Sequence, residues 1–410
     1  MLTRRTFLQT AALAAAPQSQ PSRIAIIGTV YRLQSHAQHM GDRFLVGYPH
    51  SGAWRKPNVK VVSLYIDQKP EGDLSGARAR EFGFQVYPTI DKALRCGGSE
   101  LAVDAVLIIA EHGNYPRNEK GQILYPRYDF FEECVKVFEA DHRAVPVYND
   151  KHLSYSFEKA KKMVDDSRRL HFPMLAGSSV PVTWRLPSID MPLESEIEEA
   201  VMVGEGGSDA MDFHALEGLQ CVVERRRGGE TGVKAVQLIE GPAVWKAADE
   251  GRFSKELLTS ALSRSDTPLG LTVTDGRTQD LVASGELQKL VKNPAAYFIE
   301  YRDGLRAAML MLDGAIKDFN FAARLKGGGM LSTQFLLTPD PNVTYSACLM
   351  HKAEQMFETG VAPYPVERTL LVSGILESCL TSKVRNHIRL DVPHLEVAYH
   401  APHESQFPQA

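Results

Sequence analysis

Arg23-Ile24-Ala25-Ile26-Ile27-Gly28 decides the reading of the fold. It is a short apolar run closed by glycine, the pattern of a parallel strand buried on both faces. Working outward, the chain alternates. A polar, helix-compatible segment spans 33–44, and an insertion rich in turn formers spans 48–58. A second strand over 59–67 ends in Asp67. Residues 74–82 read as a helix, 103–110 as a third strong strand ending in Ala110, and 128–142 as an amphipathic helix. A strand over 144–148, a second amphipathic helix over 157–170 and a strand over 172–176 follow. Strands alternating with helices predict a parallel sheet covered on both faces, a Rossmann-like α/β domain over 22–180. Ligands of such sheets bind at the carboxyl ends of the strands. The residues there are Gly28, Thr29, Asp67, Ala110, Glu111-His112-Gly113 and Asn149-Asp150-Lys151-His152.

From about Pro181 the pattern changes. A polar, Pro-bearing stretch leads to Gly204-Glu205-Gly206-Gly207-Ser208-Asp209-Ala210-Met211-Asp212-Phe213-His214. A helix is predicted over 209–227, with Ser208 or Asp209 as its N-cap. Arg225-Arg226-Arg227 reads as the solvated end of that helix. Strand-like runs follow at 233–239, 295–301, 307–312, 320–324 and 333–337. They predict an α+β domain over 181–400, its sheet largely antiparallel with helices on one side. Residues 364–379 read as a helix returning to the first domain, 401–410 as a tail, and 117–125 as a polar flap over the cleft.

With 44% hydrophobic residues in 410 there is ample material for a core, which excludes disorder for most of the chain. A net charge of −4 without a basic stripe argues against nucleic acid as a partner. The five cysteines are scattered without zinc or disulfide spacing and read as buried small hydrophobes. Thr3-Arg4-Arg5-Thr6-Phe7-Leu8, then a short apolar stretch and small residues, resembles a twin-arginine export signal over 1–21. The stretch is too short for a membrane span. The expectation is a protein exported to the periplasm already folded, a route suited to one carrying a bound cofactor.

The order of parts resembles the glucose–fructose oxidoreductase/inositol dehydrogenase (Gfo/Idh/MocA) family. The residues are Lys151 after the fifth strand, Gly206-Gly207 and His214 opening the second domain, and the late segment Tyr364-Pro365-Val366-Glu367-Arg368-Thr369. The resemblance implies NAD or NADP as cofactor, a sugar or cyclitol hydroxyl as substrate, and a homo-oligomer. It implies His214 as general base, oriented by Asp212 or Asp209, and Lys151 hydrogen-bonded to the same oxygen. Gly28, Thr29, Asp67, Ala110 and His112 are the expected cofactor contacts, Asp67 as ribose acceptor. The family's Glu-Lys-Pro motif keeps only its lysine here, and Ala210 stands where the family has an Asp four before the histidine. Gly28-Thr29-Val30-Tyr31-Arg32-Leu33 keeps only the first fingerprint glycine. Two other readings use the same frame. His112, Asp150, His152, His214 and Glu217 could converge on a divalent metal in a carbohydrate lyase or hydrolase. A non-catalytic member would bind a sugar, with Trp54, Trp184 or Trp245 stacking on the ring.

Overall fold

The computed structural model describes residues 20–207, 209–267, 279–338 and 343–409. The twin-arginine segment and Ser208 lie outside them. Six strands form the first sheet: β1 (Ser22–Gly28), β2 (Val59–Ile66), β3 (Gln85–Tyr87), β4 (Ala105–Ile109), β5 (Val147–Asp150) and β6 (Met174–Gly177). Their order is β3-β2-β1-β4-β5-β6 and every pairing is parallel. This is the doubly wound order, with its switch point between β1 and β4. Ile24 to Ile27 and Ala105 to Ile109 are at most 1% exposed, which is why both strands are unbroken apolar runs.

Helices α1 (His36–Val46), α2 (Ser75–Phe82), α3 (Ile90–Leu94), α4 (Arg127–Ala140) and α5 (Phe157–Arg169) connect these strands. In α5 the buried residues Phe157, Ala160, Met163, Val164 and Ser167 recur at helical spacing, and Ser156 caps its start. The insertion at 48–58 forms a small hairpin of Tyr48–His50 and Ala53–Arg55.

The second sheet has eight strands: β7 (Arg185–Leu186), β8 (Ile197–Gly204), β9 (Val233–Glu240), β10 (Ala295–Tyr301), β11 (Arg306–Met311), β12 (Phe319–Leu325), β13 (Met330–Phe335) and β14 (Leu390–Asp391). The order is β14-β9-β10-β11-β8-β12-β13-β7, antiparallel except for the β8–β11 pair. Helices cover both of its faces, not one as the sequence suggested. Tyr297, Ile299, Met309 and Met311 point to α6 (Asp209–Val223) and the late helix Glu367–Val384. Their neighbours Ala296, Phe298, Ala308 and Leu310 point to α7 (Pro242–Asp249) and α8 (Lys255–Leu262). The second face was missed because α7 and α8 are only two turns long.

Three further helices complete the chain: α9 (Glu286–Leu290), α10 (Tyr345–Thr359) and α11 (Glu367–Val384). The core runs without a break from α4 and α5 through α6 and α11 into the second sheet. α11 thus returns to the first domain, and α10 packs on α1 beneath it.

One expectation needs correction. Arg225 and Arg226 are 7% and 3% exposed, not solvated. Arg226 is paired with Glu230 and Asp303 and lies over the Tyr301 ring. Arg225 donates to the Met191 and Pro402 carbonyls. Only Arg227 reaches solvent. The 401–410 tail is docked: Phe407 stacks on Arg185, and Ser405 Oγ donates to Asp190.

Candidate functional site

β4 and β5 deliver Glu111-His112 and Asp150-Lys151 to the carboxyl edge of the first sheet. α6 meets that edge from the second domain with Ala210, Met211 and His214. Between them lies a cavity of about 340 Å³ lined also by His36, His39 and Tyr345. Lys151 and His214 therefore reach one cavity from two domains.

Lys151 sits at a left-handed backbone position, φ 61°, where its chain turns out of β5 and bridges Gly177. Such a conformation in a residue other than glycine is strained and recurs at functional sites. Its Nζ lies 3.4 Å from Glu111 Oε1. The other Glu111 oxygen is bound by Arg127. Burial works to raise the Glu111 carboxyl, but the Lys151 and Arg127 cations outweigh it and hold it well below the usual carboxylate range.

His214 Nδ1 is 2.5 Å from Ser178 Oγ. Burial first, and then the Lys151 charge, push its imidazole well below the ordinary 6.5, so it is neutral at neutral pH. His36 opens α1 and places Nδ1 2.7 Å from Asp150 Oδ2. Burial opposes the Asp150 charge; His36 and Lys151 overcome this and keep its carboxyl below the usual range.

Asp212 does not orient His214. Two residues along a helix are turned by about 200°, so Asp212 faces a second cavity of about 560 Å³ with Arg117, Tyr297 and Lys383. Its oxygens accept from Tyr297 Oη at 2.5 Å and Gly207 N at 3.4 Å, and burial pushes its carboxyl up to about 6. Asp209 lies 3.8 Å from His152 instead. The partner of His214 is Ser178, at the end of β6, a residue the sequence did not point to. The 117–125 segment, with Arg117 and Lys120, lies over the Asp212 cavity.

Of the expected cofactor contacts, His112 lines the Lys151–His214 cavity. Gly28, Thr29 and Ala110 form the buried floor at the ends of β1 and β4. Thr29 is fully enclosed, its Oγ1 donating to the Glu111 carbonyl at 2.7 Å. A Cβ on Gly28 would lie 3.0 Å from Ile66 Cδ1, a tight approach that the isoleucine side chain would have to yield to. Asp67 stands apart, its carboxylate taken by the Tyr65 and Tyr115 hydroxyls at 3.1 and 2.6 Å.

The residues of the metal reading divide. His112, Asp150 and His214 share the cavity, but His152 turns to Arg127 and Asp209. Glu217 bonds Thr369 and the Ser178 amide. No group of three His, Cys, Asp or Glu side chains with metal-holding geometry exists among the described residues. No tryptophan lines the cavity.

A larger cavity of about 570 Å³ adjoins the first, sharing His36, His39, His112 and Tyr345 and running along α1 to Arg43.

No family model and no curated protein matches the chain. Solved structures do match, along nearly the whole length. GenD2 from gentamicin A biosynthesis, solved in complex with NAD, aligns over 96% of this chain and 99% of its own, at 12% identity and a TM-score of 0.55. The myo-inositol dehydrogenase of Lactobacillus casei, in complex with NAD(H) and myo-inositol, aligns over 90% and 96%, at 13% identity and a TM-score of 0.54. A myo-inositol dehydrogenase of Corynebacterium glutamicum aligns over 90% and 98%, at 12% identity and a TM-score of 0.52. Among the described residues no helix is long and apolar enough to cross a membrane. With its 3-2-1-4-5-6 parallel sheet and its second, mostly antiparallel one, this chain has the fold of the Gfo/Idh/MocA oxidoreductases.

Proposed function

We propose that this protein is an NAD(P)-dependent oxidoreductase that oxidises a hydroxyl group of a sugar or cyclitol. The observation that carries this reading is the meeting of Lys151 and His214 in one cavity at the carboxyl edge of the parallel sheet. Fold neighbours solved with NAD and with myo-inositol support it.

The chain's own residues divide the work. In the tautomer that carries its proton on Nδ1 and donates it to Ser178 Oγ, His214 has an Nε2 lone pair with which to take the hydroxyl proton. Its depressed basicity keeps that lone pair free at neutral pH. Lys151 donates to the same substrate oxygen and stabilises the negative charge that develops there. Glu111, itself fixed by Arg127, anchors the ammonium so that no reorganisation is needed during reaction. A bound nicotinamide supplies the hydride acceptor. His112 and the Lys151 turn would flank it. The twin-arginine segment adds the proposal that this chemistry takes place outside the cytoplasm.

The test is to denature protein purified without added cofactor and assay the supernatant for NAD(P) by mass spectrometry. Sugar and cyclitol oxidation is then screened with the wild type, Lys151→Ala and His214→Ala. Near-stoichiometric dinucleotide, and oxidation lost in both variants, support the proposal. Absence of dinucleotide together with no binding on adding it back overturns it.

A further inference from the structure

Oxidation of a hydroxyl releases one proton for each hydride transferred. In the oxidoreductase reading above, on which this inference rests, His214 takes that proton at the reacting oxygen. It has no way out behind the imidazole. His214 Nδ1 meets Ser178 Oγ, and Ser178 is 1% exposed and accepts from the Val180 amide at 3.0 Å. The proton must leave on the cavity side.

A second imidazole stands there. His36 lines the Lys151–His214 cavity and also the larger one along α1. Its side chain is 16% exposed, whereas Asp150, 2.7 Å from its Nδ1, is 1% exposed. The titratable groups that line the first cavity with it are His39 on its own helix, Glu111 and His112 after β4, Asp150 and Lys151 at the end of β5, His214 on α6 and Tyr345 on α10. Of the three histidines common to both cavities, His36 alone has a carboxylate partner among the described residues.

That partner decides which nitrogen exchanges. Asp150 stays ionised despite its burial, because His36 and Lys151 lower its carboxyl, and a carboxylate only accepts. His36 Nδ1 is therefore the donor, and Nε2 is the nitrogen that gains and loses a proton. Among the described residues Nε2 has no hydrogen-bond partner, and it is not one of the enclosed polar atoms.

We propose that the His36–Asp150 pair carries the substrate proton from the reacting cavity to solvent. The proton that His214 accepts passes to His36 Nε2. The cavity of about 340 Å³ has room for water, at about 30 Å³ each, to pass it. Asp150 is a positioning residue: it holds Nδ1–H and steadies the imidazolium while Nε2 carries the extra proton. Nε2 then releases that proton to solvent on the side of the larger cavity. No bond to carbon forms or breaks at His36, and one proton enters and leaves the pair in each turnover.

Two measurements test this. Long-range proton–nitrogen NMR of the histidine rings needs neither substrate nor variant, and should find a proton on His36 Nδ1. A ring protonated on Nε2 alone overturns the relay. Stopped-flow kinetics then follow reduction of NAD or NADP by the sugar or cyclitol found in the screen above, in wild type and His36→Gln, with thermal unfolding to check that the variant is folded. In His36→Gln the first equivalent of reduced nicotinamide should form at the wild-type rate, and later turnovers about 100-fold more slowly. KM for the sugar or cyclitol should be unchanged, and added imidazole should restore turnover in proportion to its concentration. Wild-type turnover in the variant, a slowed first equivalent, or a loss that imidazole does not repair overturns the relay and leaves the oxidoreductase reading standing. No reduction of either dinucleotide by the wild type overturns both.

Discussion

Glu217 lies in the middle of α6 with 0% exposure. Its Oε1 accepts from the Thr369 hydroxyl at 2.9 Å and Oε2 faces the Ser178 amide at 3.5 Å. Burial pushes its carboxyl from 4.5 up to about 7, against the pull of Arg368 and the two hydrogen bonds. A raised acid favours folding while it is protonated. That stability is fully present below 4.5 and is lost as pH rises to about 7, because the unfolded chain ionises first. At about 1.4 kcal/mol per pH unit the loss amounts to about 3 kcal/mol. Glu217→Gln keeps the shape and removes the charge. The amide oxygen can accept from Ser178 N while its NH₂ donates to Thr369 Oγ1, whose own proton goes to the Ala176 carbonyl. Relative to wild type, the variant is therefore expected to gain about 1 kcal/mol at pH 5 and about 3 kcal/mol at pH 8. Urea unfolding of both proteins at the two pH values measures this, since every other titrating group cancels in the difference. An equal difference at both pH values, or a variant weaker at pH 8, refutes the assignment of a buried, largely protonated Glu217.

Three further outcomes are expected. Ser178→Ala leaves His214 without its Nδ1 partner and should lower kcat by about 10- to 100-fold with KM little changed, while Ser178→Thr restores most of it; steady-state kinetics on an identified substrate decide. Burial lowers His39 to about 2 and, with neighbouring cations, His112 and His351 to about 4. Stability from these neutral histidines is present above 6.5 and lost as pH falls towards 4, each worth up to about 3 kcal/mol; an unfolding temperature unchanged from pH 7 to 4.5 would contradict this. Arg368→Leu strands Glu224 in the core between α6 and α11 and should cost about 3–5 kcal/mol, part of it recovered by adding Glu224→Leu; denaturation of the single and double variants compares them.

How legible this molecule is in its sequence depends on the range of the interaction concerned. β1 and β4 are readable because a strand buried on both faces must be apolar at every position. β10 and β11 are readable from the alternation that sends Tyr297 one way and Phe298 the other. Lys151 and His214 could be singled out from the order of parts that carries the family resemblance, not from an intact local motif. The pairs that give them their chemistry have none: Ser178 and His214 are 36 residues apart, His36 and Asp150 are 114 apart. Arg226 misled for the same reason, since a charge run looks solvated until Glu230, Asp303 and Tyr301 are seen around it. Asp212 misled through geometry, because proximity in sequence is not proximity on a helix.

The missing fingerprint glycines and the histidines of α1 belong together. Glycines in that loop serve to bring bare backbone N–H groups against a diphosphate. In this chain amides at the start of α1 are already engaged. Gln38 N is bonded to Ser35 Oγ, Gln34 N to Gln38 Oε1, and His36 N to His112 Nδ1. With the backbone satisfied by its own side chains, nothing requires a close approach at positions 30 and 33. Val30 is accordingly free to pack into the core at 1% exposure, and Leu33 to stand at the rim at 69%. The polar side chains that line the cavity along this helix include Gln34, His36, Gln38, His39, Asp42 and Arg43. The two substitutions and the polar face are thus one change in how the loop is satisfied. Restoring glycine at 30 and 33 alone would leave the amides of Gln34, His36 and Gln38 engaged as they are now.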